Sequence, residues 1–504
     1  MKSLDDMVYD LRRSVLELFE GSGLISTLVE IATQEGHNLY LVGGFLRDLL
    51  AGQKNKDVDF VSPQVSDLTE SLEKKTAIRP VLIDRKFGTI RLVPSSKCSR
   101  DWQSYQIDLS PMRGFSIEDD LNQRDFSMNA LAIELSGWKK TDVIKLIDPL
   151  DGISDLRSGR LRACTHDSIK DDPLRILRAY RLVSTYGFSI EPKTREWLVK
   201  MRQGLDKVAK ERIRDELALI LSAPNSVSTI RLLDEDNMID LLLPECEPLR
   251  DLGENDFHHL DFWNQTLSTL DALEGLLANP QELLQSYVEE AQASLTQKLI
   301  GGRTREIMLK IGVLAHDIGK PSCQTVDKNG VIHFHGHEVV GAQAAASLCK
   351  RLRFSNEEIN FISQLVRQHM RATRLFNLAD PSRRSLGRFF RLGPALFWPL
   401  IMLFASDYIA ALGPRSPKKG MGPLREGILS WLEYYRHWLK PREVEPPLVN
   451  GHDLMDQLHL SPGPTVGKLL EVLAELQWEG RIDCREAALK CAAQLLREWN
   501  GSRQ

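Results

Sequence analysis

Apolar residues recur at helical spacing over residues 9–34 and predict a helix there. Residues 39–42 follow as a short buried strand, Gly43 and Gly44 as a tight turn, and residues 45–51 as a helix. DVDFVS, residues 57–62, alternates charged and apolar side chains, as a strand with one wet face does. FGTIRLV (87–93) and YQIDL (105–109) predict further strands, and NALAIEL (129–135) fits either strand or helix. The first 150 residues therefore read as α+β. Beyond Asp148 the alternation disappears. Residues 165–240 carry Leu, Ile, Arg and Lys at helical spacing, and much of the remainder also reads as helix. The Pro- and Gly-rich stretches 413–423 and 440–447 read as connectors, and the polar stretch 276–306 as an insertion.

The chain has 504 residues, enough for three to four compact units. An apolar fraction of 42% and a charged fraction of 27% exclude a wholly disordered chain and a fibrous repeat. The net charge is −4, so any nucleic-acid contact needs a local concentration of positive charge. Residues 156–215 supply one, with 15 Lys and Arg against 8 Asp and Glu. Seven scattered cysteines without a CxxC pair disfavour a disulfide framework or a zinc-thiolate site and suit a reducing cytosol. The first residues, MKSLDDMVYDLRR, lack a signal-type apolar core, and the most apolar stretch, 394–405, is too short to span a bilayer. A soluble cytoplasmic protein without membrane contact is expected.

Asp57 and Asp59 stand two apart on the predicted strand, so their carboxylates share one face. Such a pair is repulsive unless a cation lies between, and hard oxygen ligands favour Mg²⁺, the usual partner of nucleotide phosphates. A solvated strand face is the plain alternative for an isolated DxD. Here a strand–GlyGly–helix turn precedes it, with Arg47 and Asp48 in the helix. Backbone N–H groups at such a turn suit a triphosphate. Asp108 on a neighbouring predicted strand is a candidate third carboxylate for two-metal phosphoryl transfer.

LVGGFLRDLL followed by DVDF resembles the class II nucleotidyltransferases, which include the tRNA CCA-adding enzymes, their CC-adding and A-adding relatives, and bacterial poly(A) polymerases. LNQRDFSMNALAIEL (121–135), LIDPLDGISDLRSGRLRA (146–163), DDPLRILRAYRLVSTYGF (171–188) and KERIRDEL (210–217) look like that family's later motifs, in order. The resemblance implies a polymerase-β-like head with a mixed sheet (1–163), a largely all-α neck (164–235), an HD-type body (236–412) and a tail (413–504). It implies that Asp57 and Asp59 hold two Mg²⁺ ions, that Asp108 is the third carboxylate, and that Gly43, Gly44 and Arg47 contact the triphosphate. Arg124, Asp125 and Asn129 match the motif for ribose and phosphate, while Gln123 stands where many members have Arg, so one phosphate contact is expected to be missing. Asp172 and Arg175, placed three apart on a predicted helix, would share a face. An acceptor and a donor there imitate a Watson–Crick edge, and family members use these positions to select C or A. Arg178 and Arg181 extend that face toward incoming nucleotide and RNA.

LAHDIGKP (314–321) carries adjacent His316 and Asp317, with His333, His335, His337, His369 and Asp407 downstream. Imidazole and carboxylate together suit a divalent metal. The segment resembles an HD phosphohydrolase domain, which implies His316, Asp317, His337 and His369 as candidate ligands and Asp407 as a late acid. HHLDFWNQTL (258–267) looks like the stretch that supplies the first metal histidine, but Gln265 occupies that place, with His258 and His259 nearby. An amide is a poor metal ligand, so a degenerate HD fold that supports RNA is the alternative to hydrolysis. PGPTVGKLL (462–470) resembles part of an RNA-holding tail.

DRKFGTIRLV (84–93) stands where poly(A) polymerases usually carry a GRRF-like signature, so the expectation is addition of C, A or both to the tRNA 3′ end from CTP and ATP. Poly(A) addition, HD-type hydrolysis as the main activity, and a non-catalytic RNA-binding module are the alternatives. The intact DxD and GG-x-x-R-D argue against the last two. The polar stretch SSKCSRDWQS (95–104) is a candidate for the flexible loop that separates the relatives.

Overall fold

A computed structural model describes residues 4–85, 87–95, 105–136, 145–252, 261–378, 381–412, 417–441 and 446–501. Most of the 95–104 stretch, together with His258 and His259, lies outside them. The chain divides into two compact units, Met1–Leu241 and Leu242–Gln504. The expected body, 236–412, starts six residues before this boundary.

The helix expected over 9–34 is two helices, α1 (Leu4–Gly21) and α2 (Gly23–Glu35). Apolar periodicity runs through the junction, but Ser22 sits between two glycines and turns extended, where its hydroxyl caps α2 by accepting from the Ile25 N–H. The head continues with β1 (Tyr40–Val42), α3 (Gly44–Leu50), β2 (Asp57–Ser62), α4 (Val65–Lys75), β3 (Ile78–Asp84), β4 (Thr89–Pro94), β5 (Gln106–Pro111), α5 (Ile117–Asn122), β6 (Ala132–Glu134) and β7 (Lys145–Ile147). The sheet order is β3-β4-β5-β2-β1-β6-β7, and only the β2–β5 pairing is parallel. NALAIEL resolves into a 3₁₀ turn, Ser127–Asn129, followed by strand β6.

The alternation of DVDFVS separates two cores. Val58 and Phe60 point into a thick layer with Leu24, Leu28 and Leu68 from α2 and α4. Val61 points to the opposite face, where Val42, Ile117, Leu121 and Ala132 form a smaller cluster. Asp57 and Asp59 lie on that thinner side.

The neck is helical as expected: His166–Asp171, Leu174–Tyr186, Pro192–Lys200, Lys210–Ser222 and Ser226–Glu235. The segment joining it to the head centres on Asp155, which is fully buried. Asp155 accepts from Arg160 Nε at 2.6 Å, Arg162 Nε at 2.8 Å and the Ser127 hydroxyl at 2.5 Å.

Among its described residues, the second unit has helices and one small hairpin, Thr325–Val326 with Ile332–His333. The polar stretch 276–306 is not a loose insertion. Its helices Gln281–Leu284 and Val288–Leu295 bury Leu283, Leu284, Ala291 and Leu295. The apolar stretch 394–405 extends into a 19-residue helix, Pro394–Leu412, long and apolar enough to cross a bilayer by length and composition. In this fold it is a core helix, with 61% of that window buried, packed on Phe262–Ala278. The last three helices, Gly451–Leu458, Pro464–Trp478 and Arg485–Gly501, enclose their own core around Leu454, Leu469 and Leu473.

Because Asp155 is a buried anion held by two guanidinium groups, removing it strands both partners. Asp155→Ala is expected to lower unfolding free energy by about 3–5 kcal/mol, measured by urea denaturation. A loss under about 1 kcal/mol would show that the junction does not depend on this charge.

Candidate active site

β1 ends in Gly43, whose φ of 80° and ψ of −147° lie where side chains are disfavoured. Its N–H donates to the Leu131 carbonyl at 3.2 Å. A Cβ on Gly43 would stand 2.9 Å from Arg124 Nη1 and 3.5 Å from Asp59 Oδ2. The glycine thus lets the turn backbone approach a carboxylate and a guanidinium together.

Asp57 is exposed and Asp59 half-buried, on one face of β2. The parallel β2–β5 register sets Asp108 beside Asp59. The antiparallel β4–β5 register sets Arg91 beside Asp108, and Arg91 grips both its oxygens, at 2.8 Å each. Asp120, Asp125 and Asp172 likewise each have an arginine: Arg124 at 2.9 Å, Arg178 at 2.8 Å and Arg212 at 3.0 Å. Among the described residues, Asp57 and Asp59 have no cationic side chain within 4 Å. Burial pushes the Asp59 carboxyl up to about 6, Asp108 and Asp57 add to this, and Arg124 and Arg178 only partly offset it. Two oxygen donors that lack a counter-ion, one of them destabilised as an anion, fit a hard divalent cation. Asp108 fits less well while Arg91 holds both of its oxygens.

A cavity of about 300 Å³ opens beside Asp59. Of the expected site residues, Asp59, Arg124, Asp125, Asp172, Arg175 and Arg178 line it, joined by Phe87, Arg113 and Arg212. Arg113 and Arg212 escaped the spacing argument because they come from separate elements that only folding joins. Arg91 could have been found by noting that Thr89, Arg91 and Val93 alternate onto one strand face.

Seven expected residues, Asp57, Asp108, Gly43, Gly44, Arg47, Asn129 and Arg181, are not among those lining the cavity. Gly44 lies inside α3, where an added Cβ would meet the Arg47 guanidinium at 3.3 Å. Arg47 is buried rather than turned toward a triphosphate. Its Nε donates to Asp48 at 2.7 Å and its Nη1 to Asn129 Oδ1 at 2.7 Å, and its guanidinium carbon lies 5.2 Å from the Tyr186 ring centroid. The Tyr186 hydroxyl donates to Asp48 as well. Asn129 passes the network on by donating to Asp125 at 2.9 Å. Asp125 is buried, which pushes its carboxyl up, yet Arg178, Arg175, Asn129 and the Phe126 N–H together hold it well below the usual carboxylate range. Arg181 turns to Glu216 at 3.4 Å.

Asp172 and Arg175 do not share a helix face. Asp172 is extended (φ −138°, ψ 94°) between two helices, because the following Pro173 disfavours helical backbone before it. Arg175 lies in the first turn of Leu174–Tyr186, and its Nη1 donates to the Gln123 carbonyl at 3.0 Å and the Ser168 carbonyl at 2.8 Å. The two residues meet the cavity separately, Asp172 held by Arg212 and Arg175 by two carbonyls. The Gln123 side chain, at the position where an arginine was expected, braces the loop by donating to the Asp119 carbonyl at 3.2 Å.

The second unit holds another cluster. Asp317, His337 and His369 are buried, with one donor atom from each within 4.8 Å of the others. In His316, His337 and His369 the Nδ1 lies 2.6–2.8 Å from a backbone carbonyl of the preceding turn, which makes Nδ1 the donor and leaves Nε2 as a lone pair. The His337 and His369 Nε2 atoms are 3.2 Å apart, and His316 Nε2 lies 3.3 Å from Asp317. Burial holds His369 well below the usual imidazole range. Facing lone pairs beside a carboxylate suit a cation. Asp407 is half-exposed, 3.8 Å from His316 Nε2, and accepts from Thr269 at 3.4 Å. Gln265 is buried one turn from Thr269 on the same helix, with its amide nitrogen unpartnered. His333 and His335 stack on each other in the hairpin region, 5.2 Å apart, outside the cluster.

A mixed sheet carrying two unpaired carboxylates beside an arginine-lined cavity defines a nucleotidyltransferase head. The poly A polymerase head domain matches residues 39–162, the family described as the probable RNA and SrmB-binding site of polymerase A matches 187–249, and the HD domain matches 281–387. The A-adding tRNA nucleotidyltransferase of Deinococcus radiodurans is 30% identical over 92% of this chain and 96% of its own length. The CC-adding tRNA nucleotidyltransferase of Thermus thermophilus is 31% identical over 92% of this chain and 94% of its own length. A CCA-adding enzyme solved in complex with ATP shares the fold, with a TM-score of 0.63 and 21% identity over 98% of this chain and 99% of that one. The chain belongs to the tRNA nucleotidyltransferase family.

The raised Asp59 carboxyl sets a pH dependence. Below about pH 6 it carries a proton that must leave before a cation can bind, so Mn²⁺ affinity at the head is expected to fall as pH drops from 7 to 5. Paramagnetic titration of the protein in which His337 and His369 are both replaced by alanine would show this, and Asp59→Asn would flatten the profile. An unchanged profile in Asp59→Asn would contradict the assignment.

Proposed function

We propose that the protein adds C, A or both to the 3′ end of tRNA from CTP and ATP, without a nucleic-acid template. The observation that carries this is the pair of uncompensated carboxylates, Asp57 and Asp59, beside an arginine-lined cavity in a head domain of this family. These two residues would hold Mg²⁺, which when bound activates the RNA 3′ hydroxyl and steadies the leaving pyrophosphate. Asp108 completes the acidic face if Arg91 yields one oxygen. Arg113, Arg124, Arg178 and Arg212 would offer guanidinium N–H donors to a triphosphate. The Gly43 turn keeps side chains out of the approach to Asp59.

Asp172 would select the base. Cytosine and adenine present an exocyclic amine where uracil and guanine present a carbonyl. A carboxylate pinned by Arg212 accepts from the amine and repels the carbonyl. Arg175, fixed by two backbone carbonyls, would donate to the adjacent ring nitrogen.

In the second unit, Asp317, His337 and His369 would hold one divalent ion, with His316 at its edge. Gln265 removes a donor on the Asp407 side, so a hydrolytic activity there is secondary in this reading. The six described cysteines are all free thiols, which fits the cytoplasm.

The test uses purified protein, Mg²⁺, and three tRNA transcripts ending before CCA, after C and after CC, with labelled CTP and ATP offered separately. At least one transcript is expected to be extended, and Asp57→Ala with Asp59→Ala to lose on the order of 10³-fold or more in rate. Incorporation that survives this double variant would remove the mechanism. Extension of generic RNA by ATP, with none of tRNA, would make the protein a poly(A) polymerase.

A further inference from the structure

At the cavity rim, β5 ends at Pro111 and α5 begins at Ile117, so residues 112–116 turn the chain. Arg113 and Phe87 both line the cavity there, the guanidinium carbon 4.5 Å from the ring centroid. The turn is fixed by α5. The Arg113 N–H donates to Asp120 at 3.1 Å, and the N–H groups of Phe115 and Ser116 donate to Asp119 at 3.0 and 3.1 Å. Gly114 takes a φ of 92°, and a Cβ there would stand 2.5 Å from that of Asp119.

This pinned turn presents Phe115 to solvent. At 102% relative exposure it is the most exposed large apolar side chain among the described residues. Scattered apolar side chains are ordinary on a protein surface, but a bare phenyl ring on a rigid turn at the mouth of a nucleotide cavity is placed to meet a ligand. Two residues of chain, about 7 Å at most, separate it from Arg113. An RNA 3′ end that enters the cavity from the Arg113 side would bring its last unpaired nucleotides across this turn. Every base has a π face, and stacking on an aromatic side chain is indifferent to sequence.

We propose that Phe115 is a stacking platform for an unpaired base at the RNA 3′ end, with Arg113 beside it for the adjoining phosphate. The inference rests on the nucleotidyltransferase reading above, and it assigns a subsite for the acceptor strand rather than for the incoming nucleotide. Because the ring is fully exposed, its removal leaves the core intact.

Two fluorescently labelled tRNA transcripts test it by anisotropy. One ends in its unpaired 3′ nucleotides, and the other is cut back to the last base pair of the acceptor stem. Phe115→Ala is expected to weaken binding of the first on the order of tenfold and to leave the second unchanged, while Phe115→Trp restores the first. Equal affinities of wild type and Phe115→Ala for the first transcript, or equal losses on both, would overturn the proposal. Failure of the underlying reading would appear separately, as a wild-type protein that extends no tRNA.

Discussion

Negative charge that the fold leaves unbalanced on one strand organises this site. Around the cavity, Asp108, Asp120, Asp125 and Asp172 are each matched to an arginine within 3.0 Å. Asp57 and Asp59 are not, and Asp59 is partly withdrawn from water. Withdrawing a carboxylate without a partner is unfavourable, so this arrangement favours a cation. The surrounding arginines do not cancel that demand, because their own acids hold them. They do present guanidinium N–H groups to which a polyphosphate could bond.

The same pairing ties the neck to the head. The neck helix Leu174–Tyr186 reaches the head at Arg178, which pairs with Asp125, and at Tyr186, which donates to Asp48. Arg47 and Asn129 link Asp48 to Asp125, closing a buried network between those two points. That helix, which carries Arg175 in its first turn, is therefore tied to α3 and to the Asp125–Asn129 segment of the head. Arg47, expected from the family resemblance to meet phosphate, serves this network in the structure.

How much of this was legible follows from the range of each interaction. Alternation over six residues identified β2 and its two carboxylates, since both sides of the pattern are local. The glycine pair was legible for the same reason. Arg113 and Arg212 depend on how separate elements pack, which a linear reading does not carry. The helical face proposed for Asp172 and Arg175 failed at Pro173, a breaker written in the sequence itself. β3 was missed because it is an edge strand whose exposed Val81, Leu82 and Ile83 break the alternation of a half-buried strand. In the second unit the adjacent His316 and Asp317 were legible, whereas the convergence of His337 and His369 upon them needed the fold.

The most direct measurement of the central claim is anomalous scattering from crystals grown with Mn²⁺ and a non-hydrolysable CTP analogue. The account predicts a peak within coordination distance of both Asp57 and Asp59, beside the triphosphate. Occupied density at Asp317, His337 and His369 with none between the two strand carboxylates would contradict it.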